Sequence, residues 1–143
     1  MKSIIIILTA ALLCGNSALA QKNNVPSDIK TAFSKKYPSA TKVKWEKERS
    51  KYETSFLLNG KEMSVLFDTY GAIEETETKI AASELPAKAK NYVISKGRIK
   101  EAARIVAANG KVKYEAEVKG RDLIFDDKGN FLEEKVEKDE DKN

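Results

Sequence analysis

Acids, serines and lysines supply nearly all the reactive side chains of this chain. The stretch LFDTYGAIEETE, residues 66–77, sets Asp68 three positions before Gly71 and follows them with Glu74, Glu75 and Glu77. IFDDKGNFLEEK, residues 124–135, repeats the arrangement with Asp126, Gly129, Glu133 and Glu134. Oxygen donors gathered at a bend can hold a hard cation, but a calcium loop needs several ligands at fixed spacing and a distal bidentate glutamate. Thr69 and Tyr70 stand where such ligands would be. Aspartate opening a type I turn, with glycine supplying the left-handed residue that lets a strand resume, accounts for both stretches. Both are expected to be turns. A carboxylate pair for acid–base catalysis needs a buried member with a raised pKa, and glutamates alternating along a strand belong on a solvated face. Ser55 and Ser64 have no histidine to activate them and no local Ser-Lys signature, and no glycine loop is built to cradle phosphate. The chain is therefore expected to be no enzyme and to carry no metal and no cofactor.

Composition sharpens these exclusions. Of the 143 residues none is histidine, and the one cysteine, Cys14, falls in MKSIIIILTAALLCGNSALA. Those 20 residues have a basic Lys2, an apolar run from Ile4 to Cys14 and an Ala18-Leu19-Ala20 ending, which is the form of a secretory signal. The run is too short to span a bilayer, which takes ~20 residues. Cleavage is expected between Ala20 and Gln21, giving an exported periplasmic or extracellular protein with no stable membrane anchor. The remaining chain has no cysteine for disulfides or thiolate chemistry and no histidine for a neutral-pH base. Its lysines and glutamates are interleaved, without the basic blocks that mark nucleic-acid binding.

The positioning elements come in two copies. Phe67, Asp68, Gly71 and Ile73 match Phe125, Asp126, Gly129 and Phe131; KYETSF from Lys51 matches KYEAEV from Lys113; Pro26 matches Pro86. Repetition over most of the chain implies two units of one plan: 21–80 and 81–137, between the 1–20 signal and a charged 138–143 tail. Each opens with a helix. Ile29, Ala32, Phe33 and Tyr37 share a helical face, as do Leu85, Ala89, Tyr92 and Val93, with Ser83 a candidate N-cap and Gly97 a stop. Alternating strands follow, with Val43 and Trp45, then Tyr52, Thr54 and Phe56, then Met63, Val65 and Phe67 on one side. Asn59-Gly60 and Asn109-Gly110 read as type I′ hairpins. Tyr52 lies seven residues before Asn59 and Tyr114 five before Lys119, and the return arms shorten equally. A change of two residues keeps every side chain on its face, where a change of one would invert them. The expected fold is α+β: two tandem helix-plus-four-strand repeats forming a largely antiparallel sheet of about eight strands, with helices on one face.

The other face is the candidate contact surface. Lys42, Lys44, Glu46, Glu53, Ser55, Glu62 and Ser64 fall on it in the first repeat, and Lys113, Glu115, Glu117 and Asp122 in the second. Cross-strand Lys–Glu pairing could do no more than keep it soluble. Leu57, Leu66, Val106 and Ile124 add a modest apolar patch among the charges, and Tyr70 at a turn tip is the aromatic expected to be exposed. The candidate set for a protein partner is thus Leu57, Ser64, Leu66, Tyr70, Val106, Glu115, Glu117 and Ile124.

The succession VPSDIKTAFSKKYPSATKVKWE, the paired FD-x-x-G turns and the two proline-headed helices resembles the PepSY-like secreted proteins, also described as β-lactamase-inhibitor-like. The resemblance implies the same repeated fold. It also implies docking of a protein, such as a peptidase, on the open sheet face. The reading is an exported, non-enzymatic binding module of the cell envelope; the alternative is a periplasmic small-ligand or cation-binding protein.

Overall fold

The computed structural model describes residues 24–136; the expected signal segment and the 138–143 tail lie outside them. Eight strands form one antiparallel sheet in sequence order. They are β1 (Thr41–Glu48), β2 (Lys51–Leu58), β3 (Lys61–Phe67), β4 (Ile73–Lys79), β5 (Glu101–Ala107), β6 (Val112–Val118), β7 (Arg121–Asp126) and β8 (Phe131–Val136). Helix α1 (Ser27–Lys36) precedes β1, and a single 3-10 turn followed by α2 (Ala87–Lys96) connects β4 to β5. The expected two-unit α+β plan is what the chain adopts.

Each helix covers its own half of one sheet face. Val25, Ile29 and Phe33 pack on Phe56, Val65 and Phe67; Leu85, Ala89 and Val93 pack on Ala102, Ala116, Val118, Leu123 and Phe125. Aromatic edges knit the first core, where Phe33 meets Trp45 and Phe56 at ring separations of 5.4 and 4.9 Å. Ala32, expected on the packed face of α1, is exposed. Ser83 does not cap α2 either. The residue before a proline is driven out of the α region, so Leu85 is extended at ψ 144° and the helix starts after Pro86. Gly97 ends it as expected, its N–H donating to the Val93 carbonyl at 3.1 Å.

The hairpin register follows the two-residue argument. Tyr52 faces Phe67 and Tyr114 faces Phe125. Asn59-Gly60 and Lys119-Gly120 both carry positive φ, the type I′ signature. Asn109-Gly110 differs from expectation: only Gly110 has positive φ, and the Gly110 N–H donates to Ala107 while the Ala107 N–H donates to Lys111. That is a three-residue loop with the glycine at its bulge.

Candidate functional site

Both aspartate bends are turns. Asp68 Oδ1 accepts from the N–H groups of Tyr70 and Ala72 at 2.8 and 2.9 Å. Asp126 Oδ1 accepts from Lys128 and Asn130 at 2.9 and 2.8 Å, and its Oδ2 accepts from Asn130 Nδ2 at 2.7 Å. Hydrogen bonds from Asn130 hold the Asp126 carboxyl below its ordinary range. These oxygens serve the backbone. The second turn is also clamped to α2, since a Cβ on Gly129 would come within 2.8 Å of the Ala89 backbone nitrogen.

The open face departs from a simple solvated surface. Strand pairing places Glu53, Leu66, Glu75 and Ala107 in one cross-strand row; Glu62, Lys79, Ala103, Glu115 and Ile124 lie in another. Among the described residues no helix covers this face, yet Glu53, Ser64, Glu115, Glu117 and Asp122 are buried, and Ile105 and Ile124 are fully enclosed. A flat, uncovered sheet would leave them wet. The centre of the face is therefore recessed. Small residues make the floor: Ser64 and Ala103 sit among Glu62, Glu77, Lys79, Glu101, Glu115 and Glu117 and leave a cavity volume of about 20 Å³.

This recess concentrates carboxylates that the alternation argument placed in water. Burial pushes Glu53 up to about 7, with Glu48 and Glu46 adding to the rise against a hydrogen bond from Ser64. Glu77 is driven well above the ordinary carboxylate range by desolvation, then by the charges of Glu115, Glu53, Glu75 and Asp122. Burial also raises Glu75, against the pull of Lys113, Lys135 and Lys51. Lysines bridge the rim: Lys79 Nζ lies 3.1 Å from Glu62 and 3.4 Å from Glu101, and Lys100 Nζ lies 2.8 Å from Glu117. Among the described residues, no group of three or more acids is arranged to hold a metal ion.

The candidate contact residues divide accordingly. Ser64, Glu115 and Glu117 come together in the recess, although burial replaces the exposure expected for the glutamates. Leu57 and Leu66 flank it, half-buried on the same face. Leu66 stands opposite Glu53 on one side and Glu75 on the other. Ile124 points to this face but has no exposed surface. Val106 is on the opposite face, because it pairs with Thr76, which pairs with the core residue Val65; it occupies the helix side. Tyr70 is 94% exposed, but its turn lies beside α1, where Gly71 approaches Ile29, away from the recess. Glu53 and Glu77, the strongest perturbations, were outside the expected contact set. For Glu77 the signal is one of register, alternating acids of two repeats brought edge to edge; Glu53 is raised by burial and by Glu48 and Glu46 of its own repeat.

The fold and face can be set beside known proteins. A family described as "Putative beta-lactamase-inhibitor-like, PepSY-like" matches residues 13–73 and again 54–133. The chain belongs to the PepSY-like family. A BLIP-like protein of Bacteroides fragilis is similar at 26% identity, covering 83% of this chain and 92% of the other with a TM-score of 0.62. A second structure, from Bacteroides eggerthii and described as a "putative periplasmic" protein, has 21% identity, coverage of 77% and 87%, and a TM-score of 0.66. That likeness is one of fold. No curated protein matches. The tandem match agrees with the repeat, so this PepSY-like chain carries its acidic recess where the two repeats meet, across β3 to β6.

Proposed function

We propose that the chain is an exported, non-enzymatic binding module that engages a protein through the open face of its sheet. The observation that carries this reading is the recess: ionisable groups are buried on a face that no helix among the described residues covers. Burying carboxylates opposes folding, so a recess of this kind is a poor device for stability and a suitable one for recognition. The name of the Bacteroides fragilis relative, BLIP-like, points the same way, and that of the Bacteroides eggerthii relative supports a periplasmic location.

Catalysis is the weaker reading. Glu53 and Ser64 are hydrogen-bonded and could be taken for a base and nucleophile. Both lie within interior strands flanked by paired neighbours. Ladder pairing engages the nearby backbone N–H groups that an oxyanion would need.

Site-specific photo-crosslinking in the native envelope tests the proposal. A crosslinking residue at Glu62 or Glu133, on the open face, is expected to trap one discrete protein, whereas one at Asn91, exposed on α2, is expected to trap none. Adducts confined to Asn91 would overturn the proposal. Stabilisation by calcium without any adduct would favour the cation-binding alternative.

A further inference from the structure

The recess also specifies what part of a partner enters it. We infer that it receives the side-chain ammonium of a lysine presented by the protein partner, an inference that rests on the open-face docking reading.

Three features of the cavity lead there. Charge is the first. Glu62, Glu77, Glu101, Glu115 and Glu117 line it against one lysine, Lys79, which pairs with Glu62 and Glu101, so acids stay in excess and a complementary group is cationic. Glu117 is 2% exposed, and its Oε2 is buried without a hydrogen-bond partner while Oε1 faces Lys100. A buried acceptor left in this way is costly until a donor arrives.

Size and shape are the second. A cavity of about 20 Å³ is of the order needed for one water-sized group. A compact ammonium with three donors fits that space better than a planar guanidinium fork. The floor at Ala103 and Ser64 is open only because both side chains are short; longer residues there would fill it. Leu57 and Leu66 beside it offer apolar surface for a lysine's methylene stem.

The third is the chain's own use of the same chemistry. Lys79 and Lys100 reach over the rim from side chains that are 40% and 59% exposed. Ion pairs held from exposed lysines are weak, so an incoming ammonium competes with them for the same carboxylates. Convergent metal ligation is absent among the described residues, so multivalent cation capture has no built geometry here.

The test is a nuclear magnetic resonance titration of the protein with the peptide acetyl-Ala-Ala-Lys-Ala-Ala-amide. Its comparator is the same peptide carrying Nε-acetyl-lysine, which keeps the shape and removes the charge. Saturable shifts of the Ser64, Ala103 and Glu117 amides are expected with the first peptide. Affinity should fall at least tenfold with the second, and at least tenfold in Glu117→Gln or Glu77→Gln. Glu117→Gln removes a buried carboxylate and Glu77→Gln a half-buried carboxyl whose proton the arriving ammonium must displace, and thermal unfolding verifies that both variants fold. Glu74→Gln, at a residue paired with Lys51 outside the cavity, should leave binding unchanged. No shift with the lysine peptide, or equal binding of both peptides, would overturn the inference. Displacement of the peptide by equimolar calcium would overturn it too, in favour of a cation site. Failure here alongside open-face crosslinks removes the lysine alone; failure of both removes the docking reading as well.

Discussion

Replacing Glu53 by glutamine should make the protein more stable at pH 8 and flatten its dependence on pH. Glu53 is 7% exposed, and burial moves its carboxyl from an ordinary value of 4.5 to about 7. The folded state then binds the proton more tightly than the unfolded chain. The linked stability is complete below the unfolded value and is lost as pH rises through 7. A difference of this size corresponds to about 3 kcal/mol at ~1.4 kcal/mol per unit. Glutamine keeps the shape and stays neutral but brings an N–H₂ that needs acceptors, so a gain of roughly 1–3 kcal/mol at pH 8 is expected. For a domain of this size that is about 3–15 °C in melting temperature. The assay is urea unfolding between pH 5 and pH 8, followed by far-UV circular dichroism and by the fluorescence of Trp45, the sole tryptophan, which packs in the first core. That window avoids Asp126, whose lowered pKa adds stability that is lost only as pH falls into the acid range. Glu75 and Glu77 are raised as well, so the variant should keep a smaller slope of the same sign. Parallel pH profiles for the two proteins would refute the burial argument.

The remaining expectations concern the scaffold around the recess. Gly129→Ala should cost about 2–4 kcal/mol, because positive φ and a 2.8 Å approach to the Ala89 nitrogen coincide; Gly71→Ala, meeting only Ile29 at 3.5 Å, should cost about 1 kcal/mol, and equal losses in chemical denaturation would contradict the clamp. Phe125→Ala should destabilise by about 3–5 kcal/mol, since Phe125 is fully buried between α2 and the sheet. Lys100→Met should cost about 1 kcal/mol, less than a fully buried pair, because the lysine is exposed while Glu117 is not. Adding Glu117→Gln should recover most of that loss, and a double-mutant cycle with no coupling would show that the ion pair is not the cause.

Much of the fold was legible because strand alternation has a strict period. The paired tyrosine and phenylalanine positions fixed both hairpins, since an even change of arm length preserves facing while an odd one destroys it. The helix limits were less legible. Ser83 satisfies a capping preference, but Pro86 forces its predecessor to stay extended, and steric exclusion outweighs a hydrogen bond worth ~1 kcal/mol. Val106 was assigned to the wrong face for a related reason. Its parity is set by long-range pairing with β4, and nothing local to Arg104-Ile105-Val106 reveals which neighbour is inward.

The recess lay further from view because it depends on shape. A period of two says which face a glutamate occupies but not whether that face is flat. Glu115 and Glu117 obey the alternation and are still buried, lining a cavity together with Ser64 and Ala103. Both repeats line the cavity: Glu62, Ser64 and Glu77 come from the first, and Ala103, Glu115 and Glu117 from the second. Glu53 is already raised within the first repeat by burial, Glu48 and Glu46, whereas Glu77 draws on rows from both repeats. The β4–β5 pairing sets the rows side by side, and mutual repulsion together with desolvation then raises Glu77 above its ordinary range. Fusing the repeats therefore does more than enlarge the sheet: it sets Glu115 and Asp122 of the second half against Glu77 of the first.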